Sequence, residues 1–222
     1  TALKLKAVGI GLCRTEHMFF GPKRIKEMRK MILFTNPKMK KKAIMNLLPF
    51  QKKDFYNILK IMSGLPTTIR LLDPPLHEFL PTEPHQITSL AKELKITKTT
   101  LSQRINSLHE SNPMLGHRGC RLGITSPEIT EMQVSAIGLA AIKLIKEGLK
   151  PMPEIMIPLV GSLGEYLNQK KIVDNIMQSI IVSSSIKLNY KIGTMIELPR
   201  ACLVADQIAE HADFISFGTN DL

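Results

Sequence analysis

The sequence is short of cysteine and acidic residues, and it has no long apolar run. Each absence removes a class of protein. The three cysteines, Cys13, Cys120 and Cys202, lie far apart and show no CxxC spacing. An odd count cannot close a complete disulfide framework, so a reducing compartment is expected, and a cytoplasmic location with it. No apolar stretch approaches the ~18 residues of a membrane-spanning helix. The opening Thr1-Ala2-Leu3-Lys4 carries neither Met nor a signal-peptide pattern, and the ending Thr219-Asn220-Asp221-Leu222 is equally abrupt. The sequence is therefore expected to be an excerpt of a longer chain. Its one Gly-x-Gly, Gly9-Ile10-Gly11, lacks the third glycine of a dinucleotide fingerprint, which argues against a Rossmann nucleotide site.

What is present is a globular composition. The 222 residues are 44% hydrophobic and 22% charged, with 13 Gly and 14 Pro. That excludes a disordered tail, a collagen-like repeat and a disulfide-stapled miniprotein, and it supplies a sizeable core. Thirty basic residues against 19 acidic ones give a formal charge of +11. The excess is mostly lysine, 22 of the 30, which reads as generic solvated charge. The eight arginines carry more information, because a planar fork suits carboxylate and phosphate as an ammonium does not. A nucleic-acid footprint is the competing reading of the charge. Residues 86–108 add a helix-turn-helix-like pattern around Ile96-Thr97, with Ser, Thr, Gln and Arg on the second helix. Two short amphipathic helices with a polar turn are common, and nucleic acid is not the favoured partner.

The chain alternates strand and helix patterns. Strands are expected at 7–13, 67–72, 119–125, 154–160, 190–198 and 213–217. Helices are expected at 24–34, 54–62 (with Asp54 as N-cap), 130–147, 164–182 and 200–211. Residues 76–112 are polar and helical in pattern and read as an insertion after the second strand. Strands followed by helices point to a parallel α/β sheet. An eight-stranded (β/α) barrel typically needs about 250 residues. The fold expected is thus an incomplete TIM-type (β/α)8 barrel of about six units, a single partial barrel over 1–222, with an open doubly wound sheet as the alternative.

In parallel barrels the chemistry gathers at the C-terminal strand ends. Those ends read Arg14, Arg70, Arg118, Val160, Glu197 and then Asn220-Asp221. Adjacent strands lie about 4.8 Å apart, so Glu197 and Asp221 can share one divalent cation. Carboxylates without nearby Cys or His suit Mg²⁺ or Mn²⁺ more than Zn²⁺. Three guanidiniums facing such a cation fit an anionic substrate with a chelating end and a phosphoryl end. Taken singly, each of these residues is as readily a satisfied surface charge.

Several stretches carry a family resemblance. They are Gly11-Leu12-Cys13-Arg14-Thr15-Glu16-His17-Met18-Phe19, the run from Arg70 through Leu-Leu-Asp-Pro-Pro-Leu-His-Glu-Phe-Leu to Pro81, and residues 112–123. The segments Gly193-Thr194-Met195-Ile196-Glu197 and Ser216-Phe217-Gly218-Thr219-Asn220-Asp221-Leu222 complete the set. In this order they resemble the C-terminal phosphoenolpyruvate/pyruvate-binding barrel of the pyruvate, phosphate dikinase family. The first and last motifs resemble the wider group of phosphoenolpyruvate-utilising enzymes; the Asp-Pro-Pro-Leu-His-Glu-Phe run points to the dikinase branch. The resemblance implies that Arg14, Arg70 and Arg118 hold the substrate and the phosphoryl group, and that Glu197 and Asp221 hold Mg²⁺. It implies a substrate-binding loop of Gly218, Thr219 and Asn220. It also implies a phosphotransferase reaction in which a pyruvate enolate takes a phosphoryl group from a phosphohistidine.

Three parts of that family are not found in these residues: the ATP-grasp domain, the phosphohistidine domain, and the last two barrel strands with the Cys that exchanges the methyl proton. None of His17, His77, His85, His109, His117 and His211 inherits the phosphohistidine role, and Cys13, Cys120 and Cys202 read as small buried hydrophobes. His117 is expected to be structural or positioning. A barrel short of strands is expected to expose two sheet edges and to self-associate, or to pair with a separate chain carrying the missing parts. A non-catalytic remnant or interaction protein is the alternative to a binding domain.

Overall fold

The computed structural model describes residues 3–109, 112 and 116–219. Five parallel strands form one curled sheet in the order β1-β2-β3-β4-β5: β1 Ile10–Arg14, β2 Pro66–Arg70, β3 Met152–Ile157, β4 Lys191–Ile196 and β5 Phe214–Phe217. Spatial order follows chain order, as in a barrel. A doubly wound sheet reverses direction at a switch point, and this one does not. The architecture is a half-barrel, an incomplete TIM-type fold.

Nine α-helices connect and cover the strands among the described residues: α1 Pro22–Leu33, α2 Pro37–Ile61, α3 Pro84–Leu94, α4 Lys98–Leu108, α5 Gly119–Thr125, α6 Pro127–Lys146, α7 Leu163–Ser184, α8 Pro199–Leu203 and α9 Ala205–Ala209. Local chemistry sets their starts. Proline occupies the first turn of α1, α2, α3, α6 and α8, where its missing N–H costs nothing. Asn36 caps α2, its Oδ1 accepting from the N–H of Lys38 at 2.9 Å. Ser162 caps α7 and Thr97 caps α4 in the same way.

Three expectations need correcting. The strand expected at 119–125 is helix α5, so the sheet has five strands rather than six. A seven-residue apolar run does not separate strand from helix by periodicity alone. The buried residues Gly119, Cys120, Leu122 and Gly123 follow helical spacing. Asp54 is no N-cap: it lies inside the 25-residue α2, and its carboxylate pairs with Arg24. The helix expected at 200–211 is two short helices, α8 and α9, separated at Val204.

The core has a main body and two satellites. Ile69, Ile155, Ile157, Ile192 and Ile196 from the sheet meet Val134, Ile137, Ala141 and Leu144 of α6 and Val173 and Met177 of α7. Helix α6 is buried almost all round because it lies between α2 and α7 and also packs on β3. A second cluster joins Phe19, Met28, Met31, Ile44, Leu47 and Phe79. The insertion after β2 is helical as expected, and its own cluster is Leu33, Leu80, Leu90, Ala91 and Leu101. Its helix pair turns at Lys95-Ile96-Thr97, and Arg104 of the second helix donates to the Leu33 carbonyl at 3.1 Å. That guanidinium is spent inside the fold.

Candidate functional site

Sheet register brings the expected arginines together. Arg14 ends β1, Arg70 ends β2, and the two are register partners. The register shifts between Ile10 and Cys13, so β1 spends one extra residue against β2 before Arg14 arrives beside Arg70. Arg14 is exposed, whereas Arg70 is 8% exposed. Arg118 is not at a strand end. It is the N-cap residue of α5, carried to the same edge by the chain that follows the insertion.

Two acids that the sequence reading passed over organise these arginines. Asp73 Oδ2 accepts from Arg70 Nη1 at 2.9 Å and from Arg118 Nη2 at 3.0 Å. Arg118 Nε also donates to the Asp73 carbonyl at 3.1 Å. Glu16 Oε1 accepts from Arg70 Nη2 at 2.9 Å. Three guanidiniums against two carboxylates leave this arm cationic. Arg70 Nε, Glu16 Oε2 and Asp73 Oδ1 are buried with no hydrogen-bond partner among the described residues. Buried polar atoms left this way cost about 1–3 kcal/mol each, and they face a cluster suited to a polar ligand. Asp73 was legible in principle, since it stands three residues after Arg70.

Glu197 follows β4 and is 1% exposed. Its Oε1 accepts from the Leu159 N–H at 2.7 Å. Gly218, one residue past β5, passes beside it and donates its N–H to the Ile196 carbonyl at 2.9 Å. A Cβ on Gly218 would lie 2.7 Å from Glu197 Cβ and 3.2 Å from Oε2, so only glycine passes this close to the carboxylate. A buried carboxylate is a hard-oxygen donor of the kind that Mg²⁺ takes. Among the described residues no group of three or more His, Cys, Asp or Glu forms a metal cage. Thr219 is exposed beside Gly218. Asn220 and Asp221, expected as substrate and metal residues, lie outside the described residues.

A continuous set of contacts links the arginine arm to Glu197. The Gly119 N–H donates to the Asp73 carbonyl at 3.1 Å, and the Cys120 N–H donates to the Pro158 carbonyl at 3.0 Å. The Cys120 thiol lies 3.0 Å from the Leu159 carbonyl, and the Leu159 N–H reaches Glu197. On the other flank, Gln133 of α6 is fully buried. Its Oε1 accepts from the Leu72 N–H at 2.7 Å, and its Nε2 donates to Thr15 Oγ1 at 3.1 Å and Gln51 Oε1 at 3.0 Å. These are the residues next to Asp73 and Arg14.

The cysteines divide. Burial, with Glu165 next, pushes the Cys120 thiol up to about 12, and burial with Glu16 pushes Cys13 up to about 11. Cys120 is buried as expected, whereas Cys13 is half-buried. Cys202 corrects the expectation: it is exposed on α8, whose buried side is taken by Ala201. All three are free. His117 pairs with Thr125, Nε2 to Oγ1 at 2.6 Å.

Comparison with known proteins decides the family. The whole chain, residues 1–222, matches the family described as PEP-utilising enzyme, PEP-binding domain. The chain belongs to that family. Among its relatives, pyruvate, phosphate dikinase of Rhizobium meliloti is 54% identical over 217 residues, covering 97% of this chain and 24% of the relative. The chloroplastic pyruvate, phosphate dikinase of Flaveria trinervia is 51% identical over 225 residues, covering 100% of this chain and 24% of its own length. The Clostridium symbiosum pyruvate, phosphate dikinase is 50% identical over 222 residues, covering 100% and 25%. The chain thus spans about a quarter of the length of the curated relatives it matches. No helix among its described residues is long and apolar enough to cross a membrane.

Proposed function

We propose that this chain binds phosphoenolpyruvate or pyruvate together with Mg²⁺, as the pyruvate-side part of a dikinase reaction that converts ATP, pyruvate and phosphate into AMP, phosphoenolpyruvate and diphosphate. One observation carries the reading: Arg70 and Arg118 share the Asp73 carboxylate at the C-terminal edge of the sheet, linked by hydrogen bonds to the buried Glu197. Glu197 and Asp221 would hold the cation, which when bound supplies a Lewis acid for charge on the enolate oxygen. Arg14, Arg70 and Arg118 bind the carboxylate and phosphoryl oxygens and hold their charge against the arm's own acids. Gly218, Thr219 and Asn220 would close the site over the substrate's chelating end. In the transfer itself the P–N bond to a phosphohistidine breaks as the bond to the enolate oxygen forms. That histidine belongs to a domain outside this sequence, so its partner is a further part of the same polypeptide or a separate chain.

The strands β1 and β5, each paired on one side only among the described residues, are the places where such a chain or a second copy would add. The free cysteines support a reducing compartment and, in this reading, the cytoplasm; several plant relatives are named chloroplastic. The test is calorimetry with oxalate, a planar dianion that mimics the enolate. Oxalate is expected to bind with Mg²⁺-dependent heat, and Glu197→Gln is expected to abolish that dependence. Binding indifferent to Mg²⁺, or unchanged by Glu197→Gln, overturns the proposal.

A further inference from the structure

Four non-glycine residues have left-handed backbone among the described residues: Lys6, Lys95, Leu159 and Ser185. Lys95 and Ser185 close α3 and α7 as C-caps, where that conformation satisfies the last carbonyls, and both are exposed. Lys6 is exposed too. Leu159 shares their φ and differs in placement and burial. It closes no helix, its φ is 57°, and it is 1% exposed. A γ-branched residue in this region is strained, and it stays there only when its surroundings hold it.

The surroundings are identifiable. Cys120 takes both carbonyls of the turn, its N–H at Pro158 and its thiol at Leu159, each at 3.0 Å. Gly119 lies against the side chain: a Cβ there would sit 2.8 Å from Leu159 Cβ. With the Pro158 carbonyl held by Cys120, the Leu159 N–H on the far side of the same planar peptide points at Glu197 Oε1, 2.7 Å away, and the left-handed φ turns the Leu159 carbonyl back to the Cys120 thiol. In the extended or right-handed regions the Leu159 carbonyl would leave the Cys120 thiol, and the turn that presents the N–H would lose half of its clamp.

We infer that Leu159 is a positioning residue for the cation-binding carboxylate: its left-handed backbone, clamped by Gly119 and Cys120, fixes Glu197 Oε1 and so orients the carboxylate. The inference rests on the proposal that Glu197 holds Mg²⁺. It also gives the arginine arm a route to the cation side, because Gly119 is bound to the Asp73 carbonyl.

Backbone preference and packing make opposite demands at this position, and that separates the two roles. A β-branched residue resists positive φ most strongly, whereas glycine adopts it freely. Valine, however, fills the pocket better than glycine. The experiment measures Mn²⁺ binding in the presence of oxalate by electron paramagnetic resonance on the full chain, alongside urea unfolding of each variant. Leu159→Val is expected to weaken Mn²⁺ binding about tenfold or more, the worth of one hydrogen bond to a charged group. Leu159→Gly is expected to weaken it less than about threefold, despite its larger cavity. Affinity that follows side-chain volume, with glycine as weak as valine or weaker, overturns the inference. If Leu159→Val does not fold, Leu159→Ala replaces it: glycine binding at least as tightly as alanine supports the role, and weaker binding refutes it. Glu197→Gln serves as the separate control. Its failure to reduce Mn²⁺ binding refutes the cation reading itself, whatever the Leu159 variants do.

Discussion

Replacing Gln133 with leucine tests whether the buried amide network, rather than apolar packing alone, holds the arginine arm. The side chain is fully buried and makes three hydrogen bonds, to Leu72, Thr15 and Gln51. Leucine is close in volume, so the cavity contribution is small. The Leu72 N–H and Gln51 Oε1 lose their partner, at about 1–3 kcal/mol each. Burying an apolar side chain in place of an amide returns about 1 kcal/mol. The net expectation for Gln133→Leu is a loss of about 3 kcal/mol, or a fall of about 6–12 °C in Tm at this chain length. Urea denaturation followed by circular dichroism reads it as a midpoint shift of about 1 M at unchanged slope. The double variant Gln51→Leu/Gln133→Leu removes both sides of one bond and is expected to cost less than the two single losses together. A loss below about 1 kcal/mol, or simple additivity, refutes the reasoning.

Two further outcomes follow from the same geometry. Gly119→Ala combines an unfavourable positive φ, 56°, with a Cβ 2.8 Å from Leu159 Cβ and 3.1 Å from the Pro158 carbonyl oxygen, and a destabilisation of about 2–4 kcal/mol is expected in urea unfolding; a change within about 0.5 kcal/mol refutes it. The cysteines give a pH dependence: the Cys120 thiol rises from 9.0 to about 12 on folding, so stability is intact below pH 9 and falls as pH rises from 9 toward 12, because the unfolded chain ionises first. Cys120→Ala is expected to flatten that alkaline limb, and an unchanged limb counts against the cause.

The half-barrel was readable in the sequence because a buried parallel strand has a distinctive signature: a short run of Ile, Val and Leu, ended by a charged or turn residue. Ile155 and Ile157, or Ile192 and Ile196, could hardly be anything else between long helices. The run 119–125 misled because Cys, Leu and Ile suit a helix packed on its neighbours as well as a strand. What decided it was the left-handed Gly119 and the contacts of Cys120 with the Pro158–Leu159 turn, none of which is local. Asp54 misled for a similar reason: its partner, Arg24, lies in another helix. Arg14, Arg70 and Glu197 stood out because charged side chains at strand ends are legible one by one. Asp73, Glu16 and Gln133 did not, because their role consists of partners 3 to 118 residues away.

The sequence by itself determined the class of fold, the order of its units and the chemical types gathered at one edge, because periodicity and residue identity are properties of short windows. Only the tertiary structure decided which carboxylate serves which guanidinium, that Arg118 arrives on a helix rather than a strand, and that Leu159 holds a strained backbone against Glu197. Those are matters of distance and direction in a low-dielectric interior, where a shift of an ångström turns a hydrogen bond into an orphaned polar group.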